Sequence, residues 1–288
     1  MFRLASFFRV VRLREVLLML GFPLAGCVFA FCGSRDRLTW EFPWFGAAMG
    51  LLFLSIYSFN AYCGKSRDET NPRLHFLADL STSFFLRLTA VFFLTAIVAL
   101  AFLHTWLAVA GVFSFSAWAW YSVPTGLKGR PPLGTAVHFV TQVLHFVMGW
   151  SIVAHLEPKA FFIAVYTALL FSAGHLLHEL IDLDADRAAG IQTLPVRIGA
   201  VRSRIVSTSV ILLSGVYWVV LYADGIVEGS EFFPFFGAFL AHIMTLGLMA
   251  IKGKLGEPVQ ALRLRALYRT YYLAAGLVFF AIRLIIHA

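Results

Sequence analysis

Residues 43–73 read PWFGAAMGLLFLSIYSFNAYCGKSRDETNPR: seventeen residues without a charge, then fourteen that hold a lysine, two arginines, an aspartate and a glutamate. An apolar run of that length approaches the roughly 20 helical residues needed to cross a hydrocarbon core of about 30 Å. The fold class turns on whether the run stands alone or recurs. It recurs: apolar stretches lie at roughly 16–32, 43–63, 79–104, 105–121, 135–155, 159–178, 203–223, 232–251 and 267–287. Across 288 residues 60% are hydrophobic and 13% charged, against about 25% charged in an ordinary soluble domain. These observations predict an all-α membrane protein of nine transmembrane helices. The third and fourth are divided only by a tight turn near His104 and Thr105. With no low-complexity tract, residues 1–288 are expected to form a single membrane domain.

Lysine and arginine orient such a bundle, because they concentrate in cytoplasmic connections. Nineteen of the 23 basic residues fall on the side of the N-terminus, leaving Arg35, Arg37, Lys159 and Arg283 for the other. The expected orientation is N-terminus cytoplasmic and C-terminus outside, in an inner (cytoplasmic) membrane of bacterial type. Topology and attraction to anionic lipid then account for the net charge of +8, and nucleic acid is not an expected partner. The basic residues 1–14 ahead of an apolar run resemble a secretory signal without a small-residue cleavage pattern, so the run is read as an uncleaved first helix. Cys27, Cys32 and Cys63 are scattered and lack metal-type spacing.

Three segments carry more polar chemistry than a plain connection needs, and the topology places all three on the cytoplasmic side: NAYCGKSRD (60–68), YSVPTGLKGRPP (121–132) and HELIDLDADRAAGIQTLPVRIG (178–199). If the sixth helix continues through the third segment, Glu179, Asp182 and Asp186 share one face at i, i+3 and i+7, whereas Asp184 points elsewhere. Like charges stacked beside lipid are unfavourable and call for a cation. Mg²⁺ suits them, since it takes hard oxygen ligands and is usually held by one or two carboxylates together with substrate phosphates. The alternative is an acidic helix end neutralised by Arg187 and neighbouring basic loops.

In the first segment Asn60, Gly64 and Asp68 form one helical stripe, with Lys65 and Arg67 beside it. In the middle segment Tyr121 offers a phenol at a helix exit. Lys128 and Arg130 are cations on a Pro- and Gly-braced loop, suited to phosphate oxygens as point charge and fork. Taken singly, either segment also reads as an ordinary interfacial loop. Together, metal-binding acids and phosphate-binding cations at the mouth of an apolar bundle fit a ligand with an anionic head and a membrane-soluble tail, a prenyl diphosphate. Four histidines inside spans, His138, His145, His175 and His178, raise the question of a general base; His178, next to Glu179, is the best placed by sequence.

At these residues the chain resembles the UbiA superfamily of intramembrane prenyltransferases, which has nine transmembrane helices around a central cavity. Its first motif, NDxxDxxxD, ends the second helix, and its second motif, DxxxD, ends the sixth. Asn60 and Asp68 match the outer positions of the first motif, and Asp182 and Asp186 match the second. DRAAGIQTLPVRIG and YSVPTGLKGRPP resemble the loop after the second motif and the Tyr/Lys phosphate-binding loop. The resemblance implies Mg²⁺ held by Asp68, Asp182 and Asp186, with Glu179 on the same face, and Asn60 orienting the diphosphate or a metal ligand. It also implies that Lys65, Arg67, Tyr121, Lys128 and Arg130 contact diphosphate oxygens. Ala61 and Gly64 depart from the pattern, since they stand where it has aspartates.

The reaction so implied transfers an isoprenoid chain from a prenyl diphosphate to an aromatic, quinone-precursor or other lipophilic acceptor. Three rivals rank below it. A membrane terpene cyclase would capture the cation within its own chain. A non-catalytic prenyl-lipid binder is suggested by the missing aspartates. A transporter would need polar groups at mid-bilayer rather than at one face.

Overall fold

The computed structural model describes residues 11–31, 40–70, 80–251 and 258–286, without the side chains of residues 66–70 and 258–259. Among the described residues the chain is helical with no strand. Its long helices are α1 (Leu13–Ala30), α2 (Glu41–Thr70), α3 (Thr82–Leu103), α4 (Thr105–Ser122), α5 (Leu133–Val153) and α6 (Pro158–Ile181). After the short α7 (Leu183–Ala188) and α8 (Leu194–Ile198) come α9 (Ala200–Ala223), α10 (Gly229–Ile251) and α11 (Pro258–Ile286).

Eight of these are long and apolar enough to cross a membrane. The remaining expected span, 105–121, is α4, a helix of 18 residues. Its three serines, three tryptophans, threonine and tyrosine leave it less apolar than the other eight. The lipid-facing character is visible on the surface. On α3, Val91, Leu94, Val98 and Phe102 recur at helical spacing and are 55% to 75% exposed, an apolar stripe that water would not tolerate.

Local chemistry sets the breaks. Ser81 Oγ accepts the Phe84 N–H at 3.2 Å and starts α3. His104, with extended backbone (φ −165°, ψ 138°), separates α3 from α4, and its Nδ1 accepts the Trp106 N–H. Pro158 stands in the first turn of α6, where a missing N–H costs nothing.

α6 is the central post. It packs against α5, α9 and α11 and also touches α1 and α7; 67% of its apolar window is buried, against 17% for α11 and 22% for α3 and α10. α1 crosses α5 backbone to backbone: a Cβ at Gly149 would overlap the Pro23 carbonyl oxygen, and one at Gly26 the Phe146 carbonyl oxygen. α2 and α3 lie antiparallel, joined where Trp44 Nε1 donates to the Ala99 carbonyl at 2.9 Å.

A buried ion cluster joins the start of α6, the start of α10 and the end of α11. Glu231, with no exposed surface, accepts from Arg283 Nη2 at 2.7 Å and lies 2.9 Å from Lys159 Nζ; its second oxygen accepts the Glu228 N–H at 2.7 Å. Full pairing is what makes buried charge tolerable. Lys159 and Arg283 are two of the four basic residues that the sequence sets apart from the other nineteen.

Candidate active site at the ends of α2, α4 and α6

The three polar segments meet at one end of the bundle. Asn60 Nδ2 donates to Ser122 Oγ at 3.1 Å, tying the first segment to the second. Lys128 Nζ donates to Asp186 Oδ1 at 2.8 Å, tying the second to the third. Residue 129 stands against Gln192 and Ile191 in the loop after α7. Side-chain contacts thus link all three segments, which the sequence reading had gathered at one mouth of the bundle.

The third segment is shaped by a break and a turn. α6 ends at Ile181, and Asp182 (φ −93°, ψ 4°) hands the chain to α7. The Asp186 N–H still donates to the Asp182 carbonyl at 2.8 Å, so the i, i+4 relation of these aspartates survives the break. α7 ends in a Schellman turn: the Ile191 N–H donates to the Asp186 carbonyl and the Gly190 N–H to the Arg187 carbonyl, with Gly190 at φ 71°. Only glycine adopts that conformation without strain, and the turn brings residues 191–193 back under the site.

The carboxylates differ sharply in setting. Asp184 is 90% exposed and 3.7 Å from Arg187, on the outward side that its spacing predicts. Asp186 is 1% exposed, and its Oδ2 is buried without a hydrogen-bond partner. Asp182 is 19% exposed, 3.6 Å from His178 Nε2. Glu179 is buried and faces His175, with 3.2 Å between Oε1 and Nε2 and no hydrogen-bond alignment; its Oε2 has no partner. Among the described residues no three His, Cys, Asp or Glu side chains are grouped to hold a metal ion. The donor set still suits Mg²⁺ shared with a phosphate: an orphaned, buried hard oxygen on Asp186 and a half-buried carboxylate on Asp182 are the one or two protein ligands such an ion takes.

The other expected site residues are distributed as follows. α2 runs unbroken through Thr70, so Asn60, Gly64 and Asp68 do share one helical stripe and Glu69 remains off it. The side chains of Arg67 and Asp68 lie outside the described residues. Lys65 is half-buried and Arg130 exposed. Ala61 is 2% exposed and packs with Phe85 of α3, an apolar contact in which a carboxylate would lose its hydration. Tyr121 is buried, its ring edge-on to the imidazoles of His138 and His175 at 5.0 and 6.1 Å.

The four histidines differ in setting. His178 is 41% exposed, whereas His138 and His175 are buried and stacked, with centroids 3.4 Å apart. Ser122, the partner of Asn60, was not singled out at all. Both facts depend on contacts between helices, which spacing along one helix does not report.

A model of the UbiA prenyltransferase family matches residues 19–269. A digeranylgeranylglyceryl phosphate synthase of Haloquadratum walsbyi is 29% identical over 100 residues, which are 34% of this chain and 35% of the synthase, so the match spans about a third of that relative's length. The structure of a UbiA homolog from Archaeoglobus fulgidus bound to DMAPP and Mg²⁺ superposes with a TM-score of 0.68 at 16% identity, covering 91% of this chain and 96% of that one. The apo structure of a UbiA homolog from Aeropyrum pernix K1 gives 0.70 at 14% identity, covering 91% and 98%. At these identities the two structures share a fold with this chain.

Proposed function

The chain belongs to the UbiA prenyltransferase family and is an integral membrane protein, and from that premise we propose that it transfers an isoprenoid chain from a prenyl diphosphate to a small lipophilic acceptor, with Mg²⁺ as cofactor. The observation that carries this reading is the Lys128–Asp186 pair, at 2.8 Å and nearly buried. A phosphate-type cation and a metal-type carboxylate neutralise each other at the mouth of an apolar bundle. A diphosphate arriving with a divalent ion offers both a new partner. That the Archaeoglobus fulgidus homolog binds DMAPP and Mg²⁺ supports the same ligand pair here.

In this reading Lys128, with Lys65, Arg67, Arg130 and the Tyr121 hydroxyl, holds the diphosphate oxygens, and Asn60 orients them from the end of α2. Asp182 and Asp186, with Asp68 from the facing helix and Glu179 further along α6, supply the oxygen ligands for the metal. When bound, Mg²⁺ neutralises charge that gathers on the departing diphosphate. The C1–O bond of the prenyl diphosphate breaks and its electron pair leaves with the diphosphate. The acceptor forms the new bond to C1 and gives up one proton. Lys128 stabilises the leaving group because it is held on a short braced loop before the reaction begins, and the aromatic interior keeps water from competing as acceptor. The active site opens to the cytoplasm in an inner membrane, with the N-terminus on that side, and residues 1–288 act as one unit.

The test is product analysis. Purified protein with geranylgeranyl diphosphate, Mg²⁺ and a panel of phenolic and alcohol acceptors should yield a prenylated product and free diphosphate, both lost in EDTA. A cyclised hydrocarbon formed without acceptor would instead favour the cyclase. Binding without turnover would favour a lipid carrier, the outcome that Ala61 and Gly64 in the first motif make worth watching.

A further inference from the structure

Residues 188–223 hold three arginines, Arg197, Arg202 and Arg204, and no acidic residue. The concentration of basic residues on one side of a membrane accounts for two of them, since Arg197 and Arg202 are exposed and open to solvation. Arg204, in the first turns of α9, is set differently. It is 9% exposed, and among the described residues it makes no hydrogen bond and no ion pair. Arg283, which is buried to the same degree, is held by Glu231 at 2.7 Å.

The same turn is short of partners in other ways. Ser203 Oγ is buried without a hydrogen bond, whereas Ser207 and Ser214, the next buried serines of α9, donate to the Ala173 and Ile211 carbonyls at 3.1 and 2.7 Å. No side chain caps α9, which begins after Gly199 at φ 83°. A Cβ on Gly199 would meet nothing within 4 Å, so the approach to the helix start is open. The first N–H groups of a helix carry partial positive charge, and side chains lean toward the N-terminal end, which carries Arg204 back toward them. Arginines at the positive end of a helix call for an anion, and a buried arginine without a partner calls for one more strongly.

We propose that the start of α9 binds the phosphate of an acidic glycerophospholipid, in the leaflet that borders the active-site end of the bundle, through Arg204 and the uncapped N–H groups of the first turn. The guanidinium fork matches two phosphate oxygens, and a helix N-terminus is a ready phosphate site. The flank of the same helix favours a lipid over a free phosphate. Val201, Ile205, Leu212 and Val216 recur at helical spacing and are 45% to 68% exposed, an apolar stripe that runs from the site along the membrane where acyl chains lie. An acidic headgroup is favoured over a zwitterionic one, because residues 188–223 offer no carboxylate to hold an ammonium; basic pockets between spanning helices bind acidic headgroups in general. The site stands apart from the metal and diphosphate site. α9 meets α6 at the Ala173 carbonyl, nine residues and half a turn in angle from Asp182. Through Gly199 and α8 it adjoins residues 191–193, so a lipid held here anchors the far end of the loop that follows Asp186.

The test titrates phosphatidylglycerol into the purified full-length protein in neutral detergent and reads two quantities, the melting temperature and the number of lipids retained in native mass spectrometry. Neither depends on turnover. The wild type is compared with Arg204→Met, which keeps an apolar stem and removes the charge, and with Arg202→Met, which removes the exposed neighbour. The wild type and Arg202→Met should retain one phosphatidylglycerol that outlasts the rest, and should melt several degrees higher with it. Arg204→Met should bind that lipid about tenfold more weakly or worse, as the loss of a charge-assisted hydrogen bond implies. Phosphatidylcholine should not replace it. Equal responses in all three proteins, the mark of general attraction to a basic face, overturn the proposal. So does an equal response to phosphatidylcholine, or a stabilisation by inorganic phosphate at matched ionic strength that equals the lipid's and so assigns the site to a free anion. Without lipid Arg204→Met should melt at or above the wild type, because the charge removed has no partner in the protein. If it melts lower, the lipid count decides: loss of the retained phosphatidylglycerol upholds the site, and its retention defeats it.

Discussion

In the proposed site Asp186 is the carboxylate expected to matter most, because it is buried, paired with Lys128 and left with one oxygen that has no hydrogen-bond partner. Asp186→Ala and Asp182→Ala should each lower turnover by about 10²–10³, the range for removing one electrostatic contributor to a transition state. Asp184→Ala, at a position 90% exposed, should stay within about twofold, since surface changes are near neutral. Equal losses at all three in a steady-state assay would contradict the assignment. Asp186→Ala should also melt lower, because Lys128 loses a buried partner; Asp184→Ala should not. The contrast between these aspartates is legible in the sequence, since i, i+4 spacing places Asp182 and Asp186 together and Asp184 away. The partners are not. Lys128 and Asp186 are 58 residues apart, and Asn60 and Ser122 are 62 apart; no periodicity within one helix encodes either contact.

The long helices follow from apolar length, and their interiors agree with the sequence within a few residues. Their ends depart where polar segments stay helical: α2 runs to Thr70 and α11 begins at Pro258, well outside the apolar runs that end near 63 and start near 267. Hydropathy marks the part of a helix inside lipid, and the hydrogen-bond ladder continues past it. Helix packing was hidden for a different reason. Gly149 meets the Pro23 carbonyl and Gly26 the Phe146 carbonyl, contacts that glycine permits without announcing. Gly149→Ala should therefore separate α1 from α5 and lower the melting temperature in detergent, a small-to-large change costing about 1–3 kcal/mol or more. At the ion cluster, Glu231→Gln removes the charge shared by Arg283 and Lys159. It should destabilise by about 3–5 kcal/mol, as breaking a buried pair does. A wild-type melting profile for Glu231→Gln would show that this contact does not hold α6, α10 and α11 together.

At the scale of the whole molecule, the 19-to-4 division of basic residues gives an orientation. Cysteines introduced at Gly129 and Glu228 in a cysteine-free background should be labelled from opposite sides of the membrane, Gly129 from the cytoplasm. Labelling of both from one side would refute the expected topology. The all-helical bundle was readable because apolar length is a one-dimensional signal, and the family because three motifs occur in order along the chain. The central claim is that the ends of α2, α4 and α6 form one site for a metal and a diphosphate. Its most direct test is a calorimetric titration of geranylgeranyl diphosphate into the purified protein at increasing Mg²⁺, with the wild type beside Asp182→Ala and Lys128→Met. Affinity should rise with Mg²⁺ in the wild type, lose that dependence in Asp182→Ala, and fall at every Mg²⁺ concentration in Lys128→Met. Binding that is indifferent to Mg²⁺ and to both substitutions would contradict the account.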